Sequence, residues 1–418
     1  MDSNWNEKQA ILLVGDNPGC HVTEGNPVVE SAKYVFERTN LVSLDERGIE
    51  GAARYISQKL VEETYTPSTW RTHPLHLCPP THFSRTDPCT RATLNWIFLI
   101  SSLNFSFWSE KEGTENGEHE RFGVEWRAGW GSEERRVWTG YWSLVAAINR
   151  ALEAGIPITD PTFYASVERC PDSTIVSIFT PAPQCTEVIP LLNERIAVIR
   201  EVGEILCRGF ESSFLGFMNA FETRHGGVGH GSALQLVRMV TENFPSFRDE
   251  TIFEGRRVFF LKRAQILVAE IWAAFHPLSA HEPHPFFPAG VHELTMFADY
   301  RVPQILHHLG ILAYPPALCA QLEGKASLAP GCREELSTRA ASVLAVEAVR
   351  EEMIRPSAGP DVLQDKDKTR KDNSSVSGVL IDFYLWDLAK RVEHGRQVIK
   401  NIATQRMLPA HRTRSIWY

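Results

Sequence analysis

The chain has 418 residues, of which 43% are apolar, 10% aromatic and 22% charged, so it holds ample material for a globular core. Its 51 acidic and 43 basic residues leave a net charge of −8, which argues against a protein that coats a nucleic-acid backbone through a basic face. Its eight cysteines have no Cys-x-x-Cys pair or regular spacing, which predicts neither a zinc cage nor a disulfide framework and fits a reducing compartment.

Residues 1–26 carry Asn-Pro and Glu-Gly turns without a sustained period and are expected to form a loose leader; the acidic start and short apolar run lack the form of a secretory signal. No apolar stretch approaches the ~20 residues that a membrane helix needs. From Pro27 onward helical periodicity begins, with Val28, Ala32, Val35 and Phe36 in one helix and Ile49, Ala52, Ala53, Ile56 and Leu60 in the next. Trp70 to Asp87 reads as a long loop, and His73 and His76 within it are packing groups or site residues. Leu94 to Trp108 is almost wholly apolar and predicts a buried helix followed by an extended piece. In that piece Phe105, Phe107 and Trp108 alternate as a core-facing strand or as the wall of a heterocycle pocket.

Charged, Gly-rich residues 109–131 predict a solvated insertion or hairpin. Tyr141, Leu144, Val145, Ile148 and Leu152 then form one helical face that stops at Gly155. Residues 158–190 look irregular, and helical period returns over 189–221 and from Ala233 to Asn243. A helix from about Arg263 is apolar nearly all round, with Lys262, Ile266 and Glu270 at i, i+4 and i+8. Two opposite charges on such a helix must pair or face a polar cavity. Four histidines, at 276, 281, 284 and 292, lie in a Pro-rich loop that fixes no metal geometry.

Thr295 to Pro315 sets one acid, Asp299, in an apolar run just ahead of a helix whose face is Val302, Ile305, Leu306 and Leu309. Pro303 suits the first turn, and Gly310 reads as a Schellman stop with Ile311 placed against Leu306. A carboxylate there lies near unpaired N–H groups and the positive end of the helix dipole. It can attack, orient a water or stabilise a cation; alternatively it caps the helix or pairs with Arg301. A helix over 337–352 contains Arg339, residues 355–378 are expected to be a mobile loop, and an apolar helix from Leu380 carries Asp382 and Asp387. The tail from His411 to Tyr418 is aromatic and basic, which predicts that it is docked.

The segments Met-Phe-Ala-Asp-Tyr-Arg-Val-Pro-Gln (296–304), Lys-Arg-Ala-Gln-Ile-Leu-Val-Ala (262–269) and Leu-Asn-Phe-Ser-Phe-Trp (103–108) closely resemble the queuosine salvage family of queuosine 5′-phosphate N-glycosylase/hydrolases. The resemblance runs from about Pro27 to Tyr418. It implies one mainly α domain with minor β structure, similar to helix-hairpin-helix DNA glycosylases with loop insertions, that hydrolyses queuosine 5′-monophosphate to queuine and ribose 5-phosphate. It further implies Asp299 as the catalytic acid, stacking by Phe297, Tyr300, Phe107 and Trp108, and Lys262 and Arg301 for the phosphate or for orienting the acid. Asp382 and Asp387 are candidates for the amine-bearing cyclopentene arm of the base, and His76 for a place in the site. No metal, cofactor, stable nucleic-acid partner or membrane is implied, and a cytoplasmic or nuclear monomer is expected. Glu270 stands where the family pattern has an aspartate, and Leu336-Ser337-Thr338 departs from a pattern with an acid. A DNA-repair N-glycosylase and a non-catalytic helical binding module are the alternatives.

Overall fold

In the computed structural model, residues 25–112, 114–279, 281–355 and 376–418 are described. The leader expected over 1–26 and the loop expected over 355–378 lie outside these residues, apart from their edges. In chain order come α1 (Pro27–Thr39), β1 (Ser43–Leu44), α2 (Glu46–Glu62), a 3-10 turn (Pro67–Thr72), α3 (Pro88–Ser102) and α4 (Gly117–Glu120). Next are β2 (Gly123–Arg127), β3 (Arg135–Thr139), α5 (Tyr141–Glu153), α6 (Pro161–Tyr164), α7 (Asp172–Ile178), α8 (Leu192–Gly209), α9 (Phe214–Arg224) and α10 (Ala233–Asn243). The chain continues with β4 (Glu250–Phe253), β5 (Arg256–Phe259), α11 (Lys262–Ala274), α12 (Arg301–His308), β6 (Leu312–Ala313), α13 (Pro316–Glu323), α14 (Arg333–Ile354) and α15 (Gly378–Glu393).

The protein is therefore mainly helical, and among the described residues the strands form three antiparallel pairs: β1 with β6, β2 with β3, and β4 with β5. Every residue of α11 is buried, as expected of a helix that is apolar on all sides. It packs on α3 and the 3-10 turn, while α14 packs against α1, α2 and α15, and α12 lies on α15. Asn26 caps α1 by accepting from the Val28 N–H and also donates to Gln265 of α11 at 3.1 Å, so the first helix is registered on the central one.

Gly310 has φ +73, and the Ile311 N–H donates to the Leu306 carbonyl at 3.0 Å, as a Schellman stop requires. Residues 158–190, expected to be irregular, hold the short helices α6 and α7. The alternation of Phe105, Phe107 and Trp108 does not make a strand. Ser106 sits at φ +51, a conformation outside the β region, and this breaks the two-residue period.

That kink is held by the tail. The Ser106 N–H donates to the Tyr418 carbonyl and its hydroxyl to the Ser415 carbonyl, both at 3.0 Å. Tyr418 is buried, donates its hydroxyl to Glu335 at 2.8 Å, and lies under the Arg339 guanidinium, 4.2 Å from its ring centre. Removing Ser415 to Tyr418 is therefore expected to destabilise the protein by about 3–5 kcal/mol, the cost typical of losing a buried aromatic. Denaturant unfolding measures this, and an unchanged midpoint would mean that the tail contacts carry no stability.

Candidate active site

Segments from distant parts of the chain converge on a cavity of about 300 Å³, near the lower end of the range for small-molecule sites. One wall is α11, which presents Lys262, Ile266 and Glu270; a second is α15, which presents Asp382, Trp386 and Lys390. Both sets recur at i, i+4 and i+8, one face of a helix. Further walls are the turn from Thr66 to His76, the start of α5 at Tyr141 and Trp142, and the segment Phe297 to Arg301, with Asn104, Phe107, Arg121 and Tyr418 also in the lining.

The last of these segments is held on three sides. Gln265 accepts from the Thr295 N–H, Asp382 accepts from the Phe297 N–H at 2.9 Å, and Arg339 donates from Nε to the Ala298 carbonyl at 2.9 Å. Asp299 follows, and its Oδ1 accepts from the N–H groups of Arg301 and Val302 at 2.8 and 2.9 Å. The acid thus caps α12 with one oxygen, and Oδ2 remains for the cavity. Burial raises its carboxyl above the ordinary range, while Lys262 and the two N–H groups oppose that shift.

Asp382 is pushed further, well above the ordinary carboxylate range, by burial and by the neighbouring Asp299 charge. The Asp299 charge disfavours ionisation of Asp382, so the protonation of the two carboxyls is linked. Lys262 donates from Nζ to the backbone and side-chain oxygens of Asn104 at 2.9 and 3.2 Å. Its ammonium is lowered to about 8 by burial, with Asp299 the leading opposing influence. Asp299, Lys262 and Asp382 are 9%, 4% and 4% exposed, so their mutual charges act with little screening by water.

Glu270 accepts from the Tyr141 and Ser101 hydroxyls, each at 3.2 Å, and burial raises it to about 7. Its folded-state value lies above its unfolded value of 4.5, so the proton it holds stabilises the fold at low pH, and this contribution is lost as pH rises toward 7. This rise corresponds to about 3 kcal/mol. Glu270→Gln is accordingly expected to unfold at higher denaturant than the parent at pH 8, with the gap closing as pH falls toward 5. A gap that is absent at pH 8, or that grows on acidification, would contradict this.

The aromatic residues form a continuous lining. His73 stacks on Trp142 with ring centres 3.5 Å apart, His76 stacks on Trp70 at 3.9 Å, and Trp142 and Trp386 meet edge to face at 5.9 Å. Burial lowers His76 to about 4, and it is neutral near pH 7, with Nδ1 2.6 Å from the Trp70 carbonyl oxygen. Phe297, Tyr300, Arg301, Phe107, Asp387 and His76 all line the cavity with Asp299, Lys262 and Asp382. The Asp387 carboxylate accepts from the Tyr65 hydroxyl at 2.9 Å. Trp108 does not line the cavity: its indole N–H donates to the Thr413 carbonyl at 2.9 Å and Arg414 lies 3.4 Å over its ring. It secures the tail instead. Arg301 turns its guanidinium to Glu393 at 2.6 Å rather than to Asp299.

Sequence reasoning missed Trp70, Tyr141, Trp142, Trp386 and Lys390 as lining residues and left Glu270 either paired with Lys262 or facing a polar cavity; it faces the cavity. The signal that could have found two of them is spacing, because Trp386 and Lys390 follow Asp382 by four and eight residues on a helix. Among the described residues, no cluster of His, Cys, Asp or Glu could hold a metal ion, and no helix is long and apolar enough to cross a membrane.

Fold and cavity together define a mainly helical small-molecule enzyme, with a buried carboxylate and lysine at one end of an aromatic pocket. Residues 81–418 match the sequence profile described as queuosine salvage protein. The chain is 36% identical to the queuosine 5′-phosphate N-glycosylase/hydrolase of Schizosaccharomyces pombe over 394 residues, covering 94% of this chain and 99% of that protein. It is 36% identical to the Bos taurus protein of the same name, covering 93% and 98% of the two chains, and 33% identical to that of Sphaerobacter thermophilus, covering 94% and 97%. The chain belongs to the queuosine salvage family.

Proposed function

We propose that the chain hydrolyses the N-glycosidic bond of queuosine 5′-phosphate, releasing queuine and ribose 5-phosphate so that the base can be salvaged into tRNA. The observation that carries the chemistry is the Asp299 carboxylate, with Oδ1 fixed by two backbone N–H groups and Oδ2 left to the cavity beside Lys262. As the C1′–N bond breaks, the electron pair leaves with the base and positive charge builds on the sugar. Asp299, placed against C1′, stabilises that charge. Water oxygen then bonds to C1′, one water proton is lost, and the departing base takes up a proton.

A 7-deazapurine has no N7 to protonate, so more of the barrier must be lowered on the sugar side. That requirement suits a desolvated carboxylate. Lys262 favours the ionised form of Asp299 against the burial that opposes it. Phe297, Tyr300 and Phe107, with the tryptophans of α5 and α15, supply faces on which a flat base stacks. The seven described cysteines are free thiols, which supports the reducing cytoplasm as the place of action.

Incubation with queuosine 5′-phosphate, free queuosine and a queuosine-containing tRNA tests the reading. Queuine is expected from the nucleotide and not from the tRNA. Release from the tRNA alone, or no release at all, would overturn it. The second outcome would favour a binding module.

A further inference from the structure

Two cations behind the cavity are buried without an anion. Arg195 of α8 and Arg263 of α11 are 0% and 1% exposed, and neither lines the cavity. Among the described residues every hydrogen bond from their guanidiniums runs to a backbone carbonyl. Arg195 donates from Nε to Pro190 at 2.9 Å and from its two Nη atoms to Leu103 and Phe105; Arg263 donates to Ser102 and Ser246. Both guanidiniums lie over the Phe105 ring, 4.3 and 5.0 Å from its centre.

Three of these carbonyls belong to one turn, where α3 ends at Ser102 and the chain leaves it. The negative end of the α3 dipole favours cations there, yet each arginine also stands in the first turn of its own helix, where the dipole favours an anion. Both helices start from a leucine in the left-handed region, Leu191 at φ +55 and Leu261 at φ +50, and neither start has a side-chain cap. Burial lowers Arg195 to about 9 and Arg263 to about 10, and Arg263 is the next influence on Arg195 in the same direction. Desolvated cations and strained backbone are costs that gather at functional sites. What this clamp encloses is Asn104, between Leu103 and Phe105, whose backbone and side-chain oxygens accept from Lys262 Nζ.

We propose that Arg195 and Arg263 are positioning residues: by clamping the carbonyls of Ser102, Leu103 and Phe105 they fix Asn104, and through Asn104 they keep Lys262 directed at Asp299. This rests on the reading of Asp299 as the reacting acid and adds what sets the lysine that serves it. The groups whose charge acts on Lys262 are Asp299, Arg263, Asp249, Asp382 and Glu270, and those that act on Asp299 or answer to it are Lys262, Arg301 and Asp382. Arg301 is tied to Glu393, so Lys262 is the cation whose placement the clamp decides.

Titration of the Asp299 carboxyl by carbon NMR, assigned with Asp299→Asn, reads the hold of the lysine without catalysis. Arg195→Lys keeps the charge but not the fork that reaches two carbonyls. In this variant the Asp299 carboxyl is expected to titrate at higher pH than in the parent, because Lys262 opposes burial less. The kcat for queuosine 5′-phosphate should fall by about 10–10²-fold with KM near that of the parent, as for a displaced catalytic group. In a Lys262→Met background the same substitution should leave Asp299 unmoved. Loosening that merely admits water would instead lower the Asp299 carboxyl toward its ordinary value. That result, or parent-like titration and kcat in a folded Arg195→Lys protein, overturns the proposal. If Arg195→Lys does not fold, Asn104→Ala decides on the same two readouts. Hydrolysis by the parent with an unmoved Asp299 in the variant sinks the positioning alone, whereas a raised Asp299 in a protein that hydrolyses no nucleotide sinks the function and leaves the positioning.

Discussion

Asp299→Asn is expected to lower kcat by about 10²–10³-fold, the usual cost of removing one well-placed electrostatic group from a transition state. Substrate affinity should survive. The asparagine oxygen can still accept from the Arg301 and Val302 N–H groups, so the cap on α12 is kept while the charge is lost. Stability should stay within about 1 kcal/mol of the parent or rise, because a carboxylate in a dry site is retained for function at a cost to the fold. The linkage has the same sign. The folded-state value of Asp299 is raised above the ordinary carboxylate range, so ionising it opposes folding as pH climbs through that value, and the amide removes this term. A variant that unfolds would return Asp299 to a structural role.

Arg339→Leu is expected to cost both stability and activity. Arg339 is 3% exposed, pairs with Asp249 at 2.6 Å and Glu335 at 3.4 Å, and donates to the Ala298 carbonyl beside Asp299. Leucine would leave two buried carboxylates without their cation, which typically costs about 3–5 kcal/mol. The damage should reach catalysis. Asp249 also accepts from the Lys262 N–H at 3.1 Å, so one residue supports both the acid and the lysine of the site. Arg339→Lys cannot reproduce the guanidinium fork and should lie between the two. Urea unfolding and kcat on the same preparations measure this, and a loss under about 1 kcal/mol with parent activity would contradict it.

Asp299 was legible because its signal is local: an acid, a proline in the next turn and an apolar helical face can be read from adjacent residues. The boundaries of α10 and the all-round burial of α11 were legible for the same reason. Trp108 misled because alternation presumes extended backbone, and one residue at φ +51, held from the tail some 300 positions away, swings its side chain out of the pocket. The β4–β5 hairpin went unseen because its turn is Glu254-Gly255, both at positive φ, where asparagine or aspartate before glycine gives the stronger signal. His73, Trp142 and Lys390 come from three distant segments, and no local pattern announces that they share a wall.

Single-turnover hydrolysis of queuosine 5′-phosphate by the parent and by Asp299→Asn, with enzyme in excess and products separated after quenching, tests the role of Asp299 most directly. The expected result is equimolar queuine and ribose 5-phosphate from the parent, and a rate at least about 10²-fold lower from a folded variant that still binds the nucleotide. An intact nucleotide with the parent protein, or a variant that cleaves it at the parent rate, would contradict the claim that this cavity breaks the N-glycosidic bond through Asp299.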